Sequence, residues 1–114
     1  PLNEMLKRNV KPILGTDNLM LNSPNMFSEL EFTLKLMSVT YKSYLNPQEL
    51  LKMATTNACL FDFSKSFIEI GQSCEFNVIR HFSKNPFLSI INRSQTLNIL
   101  YTMNIEYTNN ILNV

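Results

Sequence analysis

The 114-residue sequence predicts an α/β fold, and three features carry that prediction. Near the N-terminus, Val10, Ile13 and Leu14 form an apolar run with Pro12 inside it, closed by Gly15 and followed by Thr16-Asp17-Asn18. This reads as a short buried strand ending in a glycine turn, because glycine permits a bend that a side chain resists. Next, between Ser23 and Phe61, two stretches place apolar residues at helical steps of three and four. After Phe63 the periodicity changes to alternation, the mark of half-buried strands. A carboxylate at the C-terminal tip of a strand sits where α/β folds place their chemistry, which makes Asp17 the candidate site residue. On these residues alone, a turn or capping carboxylate accounts for it equally well.

Residues Leu2 to Arg8 resemble the last turns of a helix, and the strand follows at once with no earlier strand to pair with, so the chain starts like a cut edge. Ser23 is placed to cap the first full helix, with Pro24 at the first helical position, where its missing N–H costs nothing. Phe27, Leu30, Leu34, Met37 and Tyr41 form its buried stripe, and Glu29, Glu31 and Lys35 its solvated face. The next helix opens on Asn46-Pro47-Gln48-Glu49, a capping-box pattern, with Leu50, Met53, Ala54, Ala58 and Phe61 on its apolar face. Asn57 falls within that face. A buried amide must find partners, so it is expected to tie the helix to a neighbouring loop or backbone rather than to bind a ligand.

Further along, Phe67 to Ile70 reads as a short strand and Gly71-Gln72-Ser73 as a turn. Phe76 and Val78 alternate with Glu75 and Asn77 in a second strand. Asn85-Pro86 opens a short helix over Phe87 to Ile91, and Leu97, Ile99, Tyr101 and Met103 alternate in a last strand. Asn104-Ile105 sits where a two-residue hairpin would turn, although Ile105 suits a positive φ poorly. The asparagine-rich tail from Thr108 is expected to fray.

Composition limits function. With 45% hydrophobic and 17% charged residues, the chain matches one modest domain. A formal net charge of +1, with its ten basic residues scattered, leaves no footprint for nucleic acid or an anionic membrane. No apolar run approaches the ~18–20 residues that span a bilayer, and no signal segment opens the chain. Cys59 and Cys74 are too far apart for a Cys-x-x-Cys site and read as buried thiols of a reducing cytoplasm. His81 stands alone, without a second histidine at ligand spacing. There is no phosphate-cradling glycine loop, nucleophile elbow or His-Glu-x-x-His segment.

Three segments carry a resemblance. Ile13-Leu14-Gly15-Thr16-Asp17-Asn18 resembles the Gly-Thr-Asp segment that ends the eighth barrel strand in the amidohydrolase superfamily of metal-dependent hydrolases. The likeness continues through Met20-Leu21-Asn22-Ser23-Pro24 and the helix carrying Phe27, Glu29, Leu30, Glu31 and Phe32. Leu51 to Ala58 is similar to the family's Ala-Thr-x-Asn-Ala helix, and Ile68 to Ile79 to the strand pair of its small β domain. Together the three cover nearly residues 9 to 91, and the loop looks most like the cytosine deaminase and chlorohydrolase branch.

The resemblance implies the C-terminal portion of a (β/α)₈ TIM barrel, its last strand and following helices over residues 1–63, plus strands of a small β-sandwich domain over 64–114. It implies a hydrolase of C–N or C–halogen bonds in which a divalent metal, often zinc, activates water, with deamination of a small cyclic or nucleobase-like compound as the reaction. Asp17 is the residue that matches the family's metal-binding, proton-transferring aspartate. The family's His-x-His pair and its further histidines or lysine have no counterparts here and would lie upstream of Pro1. Cys74-Glu75 stands in place of Ala-Asp, and Ile105 where a hairpin glycine is expected. A catalytic metal takes three or more protein ligands, so the isolated chain is expected to be inactive. It would need the missing N-terminal barrel half, or a partner chain supplying it, to act on its small-molecule substrate in the cytoplasm. The competing expectation is a non-catalytic remnant or interaction module that keeps only the packing elements. Leu14, Phe27 and Phe76 need apolar neighbours, which favours the first.

Overall fold

Asparagine side chains set where most of the helices begin. In the computed structural model, which describes residues 1–18, 20, 23–60, 68, 70, 74–81, 83–92 and 99–105, helix α1 spans Leu2–Lys7, α2 Met26–Val39, α3 Pro47–Ala54 and α4 Pro86–Ile91. Asn25 Oδ1 accepts from the Phe27 and Ser28 N–H groups at 3.0 and 3.4 Å. Asn46 Oδ1 accepts from Gln48 N at 2.9 Å, and Asn85 Oδ1 from Phe87 N and Leu88 N at 2.9 and 3.2 Å. Each satisfies donors that the first helical turn leaves orphaned. Pro47 and Pro86 then occupy first positions as the sequence predicts.

Two helix starts differ from expectation. The first full helix is capped by Asn25 rather than Ser23, whose carbonyl instead accepts from Asn25 N at 2.8 Å. Asn caps as well as Ser does, and here one oxygen serves two N–H groups. The expected capping box at Asn46 is half realised: Glu49 accepts from Lys52 Nζ at 2.7 Å on the exposed face.

The core lies where α2, α3 and α4 meet. Leu30 and Met37 from α2, Leu45 before α3, Leu50 and Met53 from α3, and Ile91 from α4 are buried together. Leu14, Phe27 and Leu34 pack against this cluster from its margin. The predicted α2 stripe therefore holds from Phe27 to Met37, while Tyr41 lies past the helix end and is exposed. Ser43 Oγ donates to Asn3 Oδ1 at 3.0 Å, tying the loop after α2 to α1.

Strands β1 (Cys74–Ile79) and β2 (Ile99–Ile105) pair antiparallel, from Cys74 opposite Ile105 to Ile79 opposite Ile99, with an irregularity between Val78 and Ile79. Phe76 is half-buried, whereas Val78 is exposed. The expected hairpin turn at Asn104-Ile105 is absent, because both residues are strand residues facing Glu75 and Cys74. A β-branched isoleucine fits a pleated ladder better than a turn that needs positive φ. Ile68 and Ile70 are exposed and lie outside any strand. The remainder of the strand expected at 67–70, the turn at 71–73, Phe61, Leu97 and the tail lie outside the described residues.

Candidate functional site

The segment bearing Asp17 starts at a helix stop. At the end of α1, Asn9 adopts φ 57°, with Asn9 N bonded to Leu6 O at 3.0 Å and Val10 N to Met5 O at 2.9 Å. That pair of bonds is a Schellman cap, and asparagine is the residue besides glycine that enters its left-handed position readily. The chain leaves it with neither helix nor ladder through residues 10–18.

This segment is not a ladder strand. Among the described residues no second strand lies beside it, and it is held instead by the end of α3. Leu14 N donates to Met53 O at 2.9 Å, and Asn57 Nδ2 donates to Pro12 O at 2.8 Å. The expectation that Asn57 ties its helix to neighbouring backbone is thus met, 45 residues away in sequence.

The geometry at α3 explains how. The helix stops at Ala54, short of the Phe61 that its apolar face suggested, and a 3₁₀ turn follows over Ala58–Leu60. Continued α-helix would bond Asn57 N to Met53 O. Asn57 N goes to Lys52 O at 2.9 Å instead, and the Met53 carbonyl is left for Leu14. Thr55 Oγ1 donates to Leu51 O at 2.9 Å, and Cys59, half-buried, donates its thiol to Thr55 O at 3.6 Å.

Asp17 is exposed, and its backbone is left-handed, with φ 52°. The bend expected at Gly15 is therefore two residues later. Gly15 does not adopt a left-handed φ, and a Cβ built there meets nothing within 4 Å. Aspartate tolerates the left-handed region better than most side chains, so the reversal and the carboxylate fall on one residue. Asn18 Oδ1 then accepts from Met20 N at 2.9 Å, the hydrogen bond of an Asx turn.

A groove of about 450 Å³ runs beside the clamp, lined in part by Leu6, Val10, Pro12, Met53, Asn57 and Leu60, and Asp17 is not among its walls. Among the described residues no group of three or more His, Cys, Asp or Glu side chains gathers as a metal site. His81 follows β1 and is exposed. No described helix is long and apolar enough to cross a membrane. The Asn57 tie was legible in the residue types, whereas the Met53 carbonyl is a backbone group that no side chain announces. Asn9 was legible as an asparagine directly after a basic helix end.

Comparison with known proteins shows that residues 1–103 match the amidohydrolase family. A protein of Methanothermobacter thermautotrophicus, provisionally named an aminohydrolase, is 41% identical over 101 residues, covering 89% of this chain and 26% of that protein. An uncharacterised protein of Methanocaldococcus jannaschii is 34% identical over 82% of this chain and 25% of its own length. The 5-methylthioadenosine/S-adenosylhomocysteine deaminase of Thermoanaerobacter pseudethanolicus is 35% identical over 69% of this chain and 20% of its own. The chain thus spans about a quarter of the length of the curated relatives it matches. No solved structure matches.

Proposed function

The chain belongs to the amidohydrolase family, and from that premise we propose that it supplies one corner of the active site of a hydrolase acting on C–N bonds. The family implies a piece of a (β/α)₈ barrel, whose active site lies at the C-terminal ends of its strands. In this reading residues 1–63 end the barrel, residues 10–18 take the place of its last strand and loop, and residues 64–114 contribute to a small β-sandwich domain.

One observation carries the assignment of Asp17. Two long-range hydrogen bonds fix Pro12 and Leu14 on the end of α3, and the chain then turns left-handed to leave one carboxylate exposed. A carboxylate so placed has the chemistry of an anionic metal ligand and of a proton acceptor. Amidohydrolases generally use a divalent metal, zinc being our expectation here, and it would supply an activated water.

The described residues do not by themselves fit such a metal, since one exposed carboxylate falls short of three protein ligands. Activity therefore belongs to a larger assembly, with the rest of the barrel supplied by the same polypeptide or a partner chain. Exposed apolar side chains such as Val10, Ile13, Phe32 and Tyr44 support burial against further protein. The deaminase among the relatives supports deamination of a small nucleobase-like compound, with C–halogen cleavage as the variant chemistry. The half-buried Cys59 thiol accords with a cytoplasmic location.

A second reading, a packing or interaction module without chemistry, has one observation in its favour: the described residues bury a cluster around Leu50 among themselves. A chimera separates the two. The upstream three quarters of the Methanothermobacter relative, joined to this chain and loaded with zinc, is assayed for ammonia release from 5-methylthioadenosine and related amino-substituted heterocycles. Release that falls by roughly 100-fold or more in Asp17→Asn, with circular dichroism unchanged, is the expected result. A folded, metal-loaded chimera that releases nothing, or one indifferent to Asp17→Asn, leaves the module reading standing.

A further inference from the structure

We propose that Asn57 is a positioning residue for Asp17, acting through the Pro12 carbonyl; the proposal rests on the reading of Asp17 as the site carboxylate. Asn57 does two things at once. Its backbone N–H bonds Lys52 O at 2.9 Å, which breaks the α-helical register and releases the Met53 carbonyl to take the Leu14 N–H. Its side-chain N–H₂ group meanwhile bonds Pro12 O at 2.8 Å. Proline has no N–H, so its carbonyl is the one backbone polar group by which that point of the chain can be held.

The amide is carried on a fixed support. Asn57 O accepts from Leu60 N at 3.2 Å as the 3₁₀ turn opens, and its own N–H is engaged at α3. The segment is therefore pinned at two alternate residues, Pro12 and Leu14. Only two residues, Gly15 and Thr16, separate the second pin from Asp17, three steps or at most ~10 Å of chain. An error in placing the pins passes directly to the carboxylate, and misplacement by about 1 Å can lower a rate by about 100-fold. Alanine at position 57 would carry no donor for the Pro12 carbonyl, the serine hydroxyl is too short to reach it, and aspartate would present a charge to that carbonyl where a donor is needed.

The test uses Asn57→Asp, which keeps the shape and removes the donor. In the chain itself, amide exchange at Leu14 is expected to speed by about 10-fold, and the Thr16, Asp17 and Asn18 amide signals to shift, while the Leu50 and Ile91 amides keep their protection. In the chimera, kcat per folded molecule is expected to fall by about 10- to 100-fold at unchanged KM. Unmoved Leu14 and Thr16–Asn18 signals overturn the proposal, as does a loss of activity that only tracks a smaller folded fraction. Asp17→Asn in the same chimera separates this from the reading beneath it: if that variant stays active, the role of Asp17 fails, while the exchange data still decide whether Asn57 holds the segment. Should Asn57→Asp unfold the core, the unsubstituted chain decides. The Asn57 side-chain N–H₂ must exchange more slowly than that of exposed Asn18, and equal rates overturn the proposal.

Discussion

If Asp17 sits in the left-handed region, the usual stability order of alanine and glycine must reverse there. In ordinary right-handed backbone, alanine is the more stable, by about 1 kcal/mol in a helix interior. At φ 52° the Cβ of alanine approaches the following carbonyl, at a cost of about 1–2 kcal/mol that glycine escapes. Glycine gives back about 0.5–1 kcal/mol through the greater freedom of its unfolded chain. Asp17→Gly is therefore expected to exceed Asp17→Ala in stability by about 0.5–1 kcal/mol. Lys35, exposed inside α2, supplies the internal control. Both Lys35→Ala and Lys35→Gly lose the ion pair with Glu31, so that loss cancels in their difference, and alanine should win by about 1 kcal/mol. Urea unfolding followed by circular dichroism measures both differences. With a slope of about 2 kcal/mol per molar, each appears as a midpoint change of roughly 0.3–0.5 M, opposite in sign at the two positions. If alanine is as stable as glycine at position 17, the reversal lies elsewhere and the presentation of the carboxylate described above is wrong.

Two further outcomes follow from the same geometry. Leu50, with none of its surface exposed, should cost about 2–5 kcal/mol as Leu50→Ala and lower the melting temperature by roughly 10–20 °C, read by thermal circular dichroism. Gly15→Ala should leave the melting temperature unchanged or slightly raised, with any gain under about 1 kcal/mol, because the added methyl meets nothing and no left-handed φ opposes it; a fall of several degrees would show that the bend belongs to Gly15 after all.

Much of the helical part was legible because its signals are local. The stripe from Phe27 to Met37 and the caps at Asn46 and Asn85 depend on residues within a turn or two of one another. Propensity and hydrogen-bonding chemistry there leave little for distant contacts to decide. The start of α2 shows the margin of such reasoning: Ser23 and Asn25 both cap well, and two residues separate the alternatives. The alternation of Phe76 with Asn77 likewise announced β1. The end of β2 did not follow, because a turn at Asn104-Ile105 and a continuing strand differ in which residues lie opposite, and pairing with Glu75 and Cys74 is not local information.

The site divides in the same way. Residue chemistry alone marked Asp17 as the carboxylate to watch and Asn57 as an amide in need of a partner. It placed the bend at Gly15, because glycine is the strongest local sign of one, and it ran the helix on to Phe61, because apolar spacing continues that far. Both were settled by a contact between residues 12–14 and 53–57. A backbone carbonyl such as that of Met53 is the same in every sequence, so nothing in the residue types says that α3 will release it or that Leu14 will take it. Once that docking is made, the chain must reach outward within three residues, and Asp17 takes the left-handed turn that leaves its carboxylate exposed.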